Sequence, residues 1–298
     1  MNCSFCKKRA IYLKSTNNEY FCEECLVKYV ERKFKTCIRK NNMISKNDKI
    51  AICISGGKDS SVLLFLMNMI LNKRKDVKYF AIILDEGIKG YREKGIKSAK
   101  KLCKILSIPL YAYSFKKELG IRIDRLEKKK TCTYCGVFRR YLLNKKALEL
   151  GAKKIFVGHN LDDEAQSVMM NFLRGDYWRF IRLGPAPYKK KKGFVPRFKP
   201  LVDISERETM LYAMVKKIPH FHDECPHSFD HMRRDVSECL NKLEEKYPGI
   251  KQNIVRFYER IKKHLPEWKG EVKKCKICKE PTSRKMCKAC ELLNNLKE

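Results

Sequence analysis

The largely apolar run Lys49-Ile50-Ala51-Ile52-Cys53-Ile54 leads straight into Ser55-Gly56-Gly57-Lys58-Asp59-Ser60-Ser61, and a longer apolar segment, Val62 to Leu71, follows. This stretch limits the possible folds more than any other. An apolar run of strand length, a glycine-rich turn and a helix-length apolar segment read as strand, phosphate loop, helix. Glycines let the backbone approach an anion, and the first turn of a helix offers unpaired N–H donors at the positive end of its dipole. The serine hydroxyls and Lys58 add donors for phosphate oxygens. The spacing is not the G-x-x-x-x-G-K-[ST] of loops that grip β and γ phosphates.

The alternation of strands and helices that begins near residue 48 is that of an α/β protein with a doubly wound parallel sheet. The first strand covers 49–55, and its helix reaches residue 72. Val77 to Leu84 is the second strand, 91–107 a helix, and Pro109 to Phe115 the third strand. After Lys128-Lys129-Lys130, the turn Thr131-Cys132-Thr133-Tyr134-Cys135-Gly136 opens a helix to Leu150. Lys154 to Val157 is the fourth strand and ends in Gly158-His159-Asn160. A helix from Asp162 to Arg174 carries acids in its first turn, as the helix dipole favours. Residues 184–200 hold four prolines and the run Lys189 to Lys192, and read as a long loop or a short β-ribbon. Ser205 and Glu208 have capping-box spacing for a helix ending near Lys217. Residues 228–265 have helical periodicity broken at Pro248-Gly249.

The 15 cysteines sort by spacing. Cys3-x2-Cys6 and Cys22-x2-Cys25, 15 residues apart, form one four-thiol set; Cys275-x2-Cys278 and Cys287-x2-Cys290, eight apart, form another. Each C-x-x-C turn places two sulfurs about 3.5–4 Å apart on one metal, and two turns complete a tetrahedron around Zn²⁺. A closed four-cysteine site has no open position, so both are structural. Residues 271–298 hold too small a core to fold without the metal. Cys132 and Cys135 have no second pair. Cys225, in the polar segment Phe221-His222-Asp223-Glu224-Cys225-Pro226-His227, sits where a functional thiol would lie. Three such thiols can hold a cluster with one iron left unligated by protein, or form a redox relay. Cys37, Cys53, Cys103 and Cys239 read as packing residues.

Four units follow: a zinc module at 1–30, a nucleotide domain at 31–217 that opens with a basic helix or linker, a helical extension at 218–270 carrying Cys225, and a zinc ribbon at 271–298. The formal charge of +33, reduced to about +29 by two tetrathiolate zinc sites, produces the field of a polyanion binder. With no apolar stretch long enough for a bilayer and no secretory leader, the expected location is the cytoplasm, the expected partner a nucleic acid, and no membrane is involved.

The loop at 55–61 is similar to the S-G-G-x-D-S loop of the PP-loop, or N-type, ATP pyrophosphatases, which cleave ATP between its α and β phosphates and transfer AMP to an oxygen. Taken with C-T-Y-C-G-V-F-R-R-Y-L-L-N at 132–144, G-H-N-L-D-D-E-A-Q at 158–166, the late Cys225 and the terminal cysteine modules, the whole chain resembles the tRNA 2-thiolation enzymes of the TtcA/TtuA family. The paired modules are similar to the branch that makes 2-thiouridine. The resemblance implies tRNA as substrate and a [4Fe-4S] cluster on Cys132, Cys135 and Cys225. It also implies adenylation of the C2 oxygen of a uridine and its replacement by sulfur.

On that reading Ser55, Gly56, Gly57, Lys58, Asp59, Ser60 and Ser61 cradle the ATP phosphates, and Asp59 and Asp163 hold Mg²⁺ or steady the loop. Adenine lies near Leu84, Gly158 lets the nucleotide come close, and Arg139 neutralises the α phosphate. Relatives with lysine at that last position could shuttle a proton there, whereas a guanidinium cannot. The lysines at 189–192, the helix at 31–40 and the zinc modules face the tRNA backbone. Sulfur comes from a thiocarboxylated ubiquitin-like protein or from sulfide, the target is a TΨC-loop or a wobble uridine, and a homodimer is compatible. Two other readings share parts of the pattern. One is an ATP-using enzyme with a different nucleophile, like lysidine synthetase, which would not need the thiols. The other is a zinc-ribbon RNA scaffold, which would not need the loop.

Overall fold

In the computed structural model, residues 1–127, 131–187, 191–228, 232–266 and 270–296 are described. Lys128 to Lys130, Lys189 and Lys190 lie outside them. Strands β1 (Tyr12–Lys14) and β2 (Glu19–Phe21) form an antiparallel hairpin. Helix α1 (Glu23–Lys40) begins on the Cys22–Cys25 turn and runs through residue 30 without interruption. Glu23 and Glu24 in its first turn and Arg39 and Lys40 in its last suit the helix dipole. Leu26, Val30, Phe34 and Cys37 are fully buried in the same core as Tyr12, Phe21 and the central sheet.

The sheet domain follows in order: β3 (Lys49–Cys53), α2 (Lys58–Leu71), β4 (Lys78–Asp85), α3 (Arg92–Ile105), β5 (Leu110–Ser114), α4 (Phe115–Leu119), α5 (Thr131–Glu149), β6 (Lys154–Phe156), α6 (Leu161–Leu173), α7 (Tyr177–Phe180), β7 (Arg197–Phe198) and α8 (Glu206–Val215). Helices α9 (Met232–Lys246) and α10 (Ile250–Lys262) then precede a ribbon of β8 (Lys273–Lys274), β9 (Pro281–Thr282) and α11 (Lys288–Asn294). Gly249, at φ +100°, makes the break between α9 and α10. The Ser205–Glu208 capping box is present, with Oγ accepting from the Glu208 N–H at 3.2 Å.

Among the described residues the central sheet has the order β5-β4-β3-β6-β7, all parallel. Alternate residues feed two buried cores: Ile50 and Ile52 face one, Ala51, Ile82 and Ile155 the other. Both faces are covered, as a parallel sheet requires. Sheet order turns around between β3 and β6, and such a switch point opens a crevice at the carboxyl edge.

Two features differ from the sequence expectations. The 184–200 segment supplies a fifth strand, with Ile155 and Phe156 paired to Arg197 and Phe198. Two ladder residues between Pro196 and Pro200 are too few to show an alternating pattern. Phe115 begins helix α4 rather than ending a strand, because Ser114 caps it by accepting from the Lys117 N–H at 3.2 Å. No helix among the described residues is long and apolar enough to cross a membrane.

Candidate functional site

The loop between β3 and α2 is tightly built. Gly56 has φ +86°, and a Cβ there would lie 2.0 Å from the Gly95 carbonyl oxygen on α3, so only glycine fits on both counts. Ser55 and Ser60 brace the turn through their hydroxyls at 3.0 Å, and Ser60 Oγ donates to the Gly57 carbonyl at 3.0 Å. Ser61, expected in the phosphate cradle, is instead fully buried, and its N–H is spent on Gly57. The Lys58 ammonium lies among Asp59 Oδ1 (3.1 Å), Glu206 Oε1 (3.3 Å) and Thr209 Oγ1 (3.4 Å) rather than over the turn. Gly158 serves the loop itself: a Cβ there would come within 2.9 Å of the Ser60 nitrogen. Its missing side chain admits the loop backbone. Leu84 is buried, and its carbonyl accepts from Arg92 at 2.7 Å.

Asp59 and Asp163 do meet, through a residue that spacing alone did not single out. Asn160 Nδ2 donates to Asp59 Oδ1 at 3.2 Å, while its N–H donates to Asp163 Oδ2 at 3.3 Å. Thr209 adds a bond to Asp59 Oδ1 at 2.7 Å, so these bonds all fall on one of its two oxygens. The three successive acids at the start of α6 divide their work. Asp162 binds Lys251 and the Glu206 N–H. Glu164 pairs with Lys199 at 2.8 Å. Asp163 alone is left beside the loop, capping α6 together with Asn160. Burial pushes its carboxyl up to about 6, Arg233 opposing and Asp59 adding to the rise.

The third cysteine reaches the loop by long-range contacts. The Phe221 N–H donates to the Gly56 carbonyl at 3.0 Å, and its ring meets Tyr91 edge-on at 5.2 Å. Lys94 pairs with Asp223 at 2.6 Å, and His227 Nε2 lies 2.7 Å from Asp124 Oδ1. Cys132 Sγ donates to the His227 carbonyl at 3.3 Å. The segment carrying Cys225 is thereby stapled between the phosphate loop and the start of α5. Burial raises the Cys132 thiol, and a charge on Cys225 adds to it. Cys135 goes up to about 11, through burial that Arg139 opposes and Glu86 and Cys225 reinforce. With the His227 ring taken by Asp124, the donor set is three thiols. Among the described residues these do not converge as the four-thiol sets do.

A chain of charges joins this thiol set to the loop, and two of its members, Glu86 and Arg92, were not anticipated. Arg92 donates to the Ser55 carbonyl at 3.0 Å and faces Glu86 Oε2 at 2.5 Å. Glu86 Oε1 pairs with Arg139 Nε at 2.9 Å, and Arg139 Nη2 donates to Cys135 Sγ at 3.2 Å. Arg92 and Glu86 are buried. Arg139, expected at a phosphate, is thus directed at a sulfur. The residues after β4, Glu86 among them, held the only available signal: acids at a strand end in the crevice.

Both four-cysteine sets close up. In each, the four sulfurs lie within 4.8 Å of one another. Cys6 and Cys22 are 3.3 Å apart, Cys25 and Cys6 3.7 Å, and Cys278 and Cys287 3.6 Å. Tetrahedral zinc with bonds of ~2.3 Å needs edges of ~3.8 Å, so the donor sets fit. Burial opposes ionisation of Cys3, yet N–H groups of Phe5, Cys22 and Cys6 bring it down to about 6. Cys275 reaches about 6 in the same way, through the N–H groups of Cys278, Cys287 and Ile277.

A family model for the PP-loop domain matches residues 26–243. The tRNA-5-methyluridine(54) 2-sulfurtransferase of Pyrococcus horikoshii is 36% identical over 301 residues, covering 100% of this chain and 95% of that one. The cytoplasmic tRNA 2-thiolation protein 1 of Caenorhabditis briggsae is 35% identical over 297 residues, 98% of this chain and 79% of the relative. A solved structure, the U34-tRNA thiolase NcsA of Methanococcus maripaludis with its [4Fe-4S] cluster, superimposes with a TM-score of 0.87 at 36% identity, covering 99% of this chain and 96% of that one.

Proposed function

The chain belongs to the PP-loop family, among the tRNA 2-thiolation proteins, and from that premise we propose that it is an ATP-dependent tRNA-uridine 2-sulfurtransferase. The uridine C2 oxygen attacks the α phosphorus of ATP and pyrophosphate leaves. Sulfur from an external donor, sulfide or a protein thiocarboxylate, then attacks C2, and the C2–O bond breaks with AMP as leaving group; where the donor is a thiocarboxylate, water then cleaves the acyl–sulfur bond and the donor leaves as its carboxylate. Ser55, Gly56, Gly57 and the first turn of α2 hold the phosphates, with Ser60 bracing the turn. Asp59 and Asp163 hold Mg²⁺. Four-cysteine zinc sites fix the two termini, and the chain works in the cytoplasm.

Cys132, Cys135 and Cys225 would hold a [4Fe-4S] cluster, for which a three-thiol donor set free of histidine is suited. Bound there, it would supply one iron without a protein ligand, open to sulfur. Arg139 steadies Cys135 by an N–H···S hydrogen bond, and Glu86 fixes that guanidinium. The observation that carries the reading is the hydrogen bond from Phe221 to Gly56: it seats a thiol-bearing segment directly on an adenylation loop. Anaerobically purified protein given ATP, tRNA and sulfide is expected to release pyrophosphate only when tRNA is present and to form a 2-thiouridine detectable by mass spectrometry. Protein that stays fully active, and colourless, after iron chelation would remove the cluster from the reading. Absence of tRNA-stimulated pyrophosphate release would remove the adenylation.

A further inference from the structure

A second concavity lies beyond the crevice. Among the described residues it is bounded by α5, the 179–197 segment, the end of α10 and the C-terminal ribbon, and its volume is about 680 Å³. Eight of its lining residues are arginine or lysine, and one, Glu280, is acidic. At the rim the charges are paired: Arg284 lies 3.1 Å from Glu291, which also takes Lys288. Arg140 and Arg197 differ. Arg197 Nη2 donates to the Arg140 carbonyl at 2.6 Å, which draws the two arginines together, and neither is paired with a carboxylate among the described residues. Burial depresses both guanidinium groups, and the charges of Arg197, Arg179 and Arg139 depress Arg140 further. Cations crowded without counter-charge cost free energy that a bound anion would recover.

Shape narrows the kind of anion. Tyr141 and the exposed ring of Phe194 line the walls, which suits a stacked base. Pockets of roughly 300–1,000 Å³ enclose ligands of drug size, so this one has room for about one or two nucleotides and none for a duplex. The α5 and ribbon walls are held together, because Cys275, Cys287 and Cys290 of the ribbon share a core with Phe138 and Leu142 of α5. The cleft neighbours the thiol set, since Arg140, which lines it, sits close enough to Cys135 for a charge on that sulfur to act on the guanidinium.

We propose that this cleft takes an unpaired stretch of the RNA substrate, with phosphodiesters on Arg140, Arg182 and Arg197 and a base against Tyr141 or Phe194, and that it excludes duplex RNA. The proposal deepens the preceding reading and rests on it. An unpaired strand held on Arg140 lies beside the helix that carries Cys135, so the cleft would select single-stranded targets for the reaction.

The test is fluorescence anisotropy on the metal-loaded protein, with a short unpaired RNA oligonucleotide and a blunt duplex of the same length over a salt series. The wild type is expected to prefer the unpaired strand by at least about tenfold, the worth of one stacked base. The Arg140→Ala/Arg182→Ala variant should lose about tenfold for the unpaired strand and flatten its salt slope by about 1.4, two contacts at ~0.7 each. Phe194→Ala should weaken unpaired binding without changing the slope. Lys100→Ala/Lys104→Ala, on the exposed face of α3, is the control for bulk charge and should change neither. Zinc content and circular dichroism establish that each variant is folded.

Unchanged unpaired affinity in the arginine variant, or equal losses for strand and duplex, overturns the proposal. So does intact RNA affinity with slowed sulfur transfer from a protein donor, which would give the cleft to an acidic protein segment. If the wild type forms no 2-thiouridine, the enzymatic reading falls instead. If it forms 2-thiouridine while the cleft variants bind unpaired RNA normally, the cleft proposal falls alone.

Discussion

The four-cysteine corners and the three-cysteine crevice start from the same C-x-x-C turn and reach opposite chemistry. In the corners every donor comes from two nearby turns and the sulfurs already lie within 4.8 Å; burial raises Cys25 to about 12 and Cys287 to about 11, but backbone N–H groups bring one thiol of each set, Cys3 and Cys275, down to about 6. In the crevice burial dominates: Cys132 is raised and Cys135 rises to about 11, with only Arg139 on the ionising side. Its third thiol arrives on a segment held by Gly56, Lys94 and Asp124. Local backbone donors make a closed structural site. Long-range contacts and a buried charge chain make an open one, in which burial opposes ionisation of Cys132 and Cys135.

The contrast breaks most sharply on Cys225→Ala. It should abolish 2-thiouridine formation, a loss of at least about 10³, and bleach the visible absorption while leaving zinc content and fold intact. Retained colour and product would mean that the crevice thiols do not act together. Cys290→Ala should do the reverse: the C-terminal zinc is lost, and with it a binding energy of about 10 kcal/mol or more that folds the ribbon. Limited proteolysis should then cut the ribbon, and the loss should spread to α5 through their shared core. A ribbon that stays protected without zinc would show that its core folds unaided.

Glu86→Gln tests the charge chain. It leaves Arg92 and Arg139 buried or half-buried without their carboxylate, a change that costs about 3–5 kcal/mol when one partner of a buried pair is removed. Denaturant midpoints should fall accordingly, and the absorption envelope of the iron-loaded protein should shift as the N–H···S bond to Cys135 loosens. Stability loss with an unchanged spectrum would confine Glu86 to packing. Gly158→Ala should cost less, about 1–3 kcal/mol, because its Cβ would meet backbone atoms of Asp59 and Ser60 at 2.9–3.0 Å. Pyrophosphate release should suffer while zinc and iron content do not.

Legibility followed the range of the interactions. The loop, the cysteine corners, the capping box at Ser205 and the break at Pro248-Gly249 are local, and each was readable because neighbouring residues carry the whole signal. Asn160, Thr209, Glu86 and Arg92 were not singled out, because their roles exist only once β3, β4, β6 and α8 stand side by side. Ser61 was assigned to the nucleotide from motif position, yet its side chain is fully buried, and the room left at Gly158 goes to the backbone of Asp59 and Ser60. A motif shows which residues cluster, but not which way each side chain points. The two-residue strand β7 had no periodicity to read.

The smallest effect is a shift in pH dependence, and its sign separates the crevice from a mere cap. Asp163 titrates at about 6 in the fold against a reference of 3.8, raised by burial and by Asp59 and lowered by Arg233. A carboxyl whose folded value lies above its unfolded one disfavours the folded state as pH climbs from about 3.8 to 6, and the cost is complete above that. Holding Mg²⁺ needs the ionised form, so Mg²⁺-dependent pyrophosphate release should fall as pH drops through about 6. Removing Arg233 takes away the one cation 3.3 Å from Asp163 Oδ1, so Arg233→Ala should move the acidic limb to higher pH. Rates measured from pH 5 to 8 at saturating ATP decide it. An unmoved limb would mean that Asp163 acts only as the capping partner of Asn160, and a limb displaced downward would mean that Arg233 competes with the metal rather than preparing its ligand.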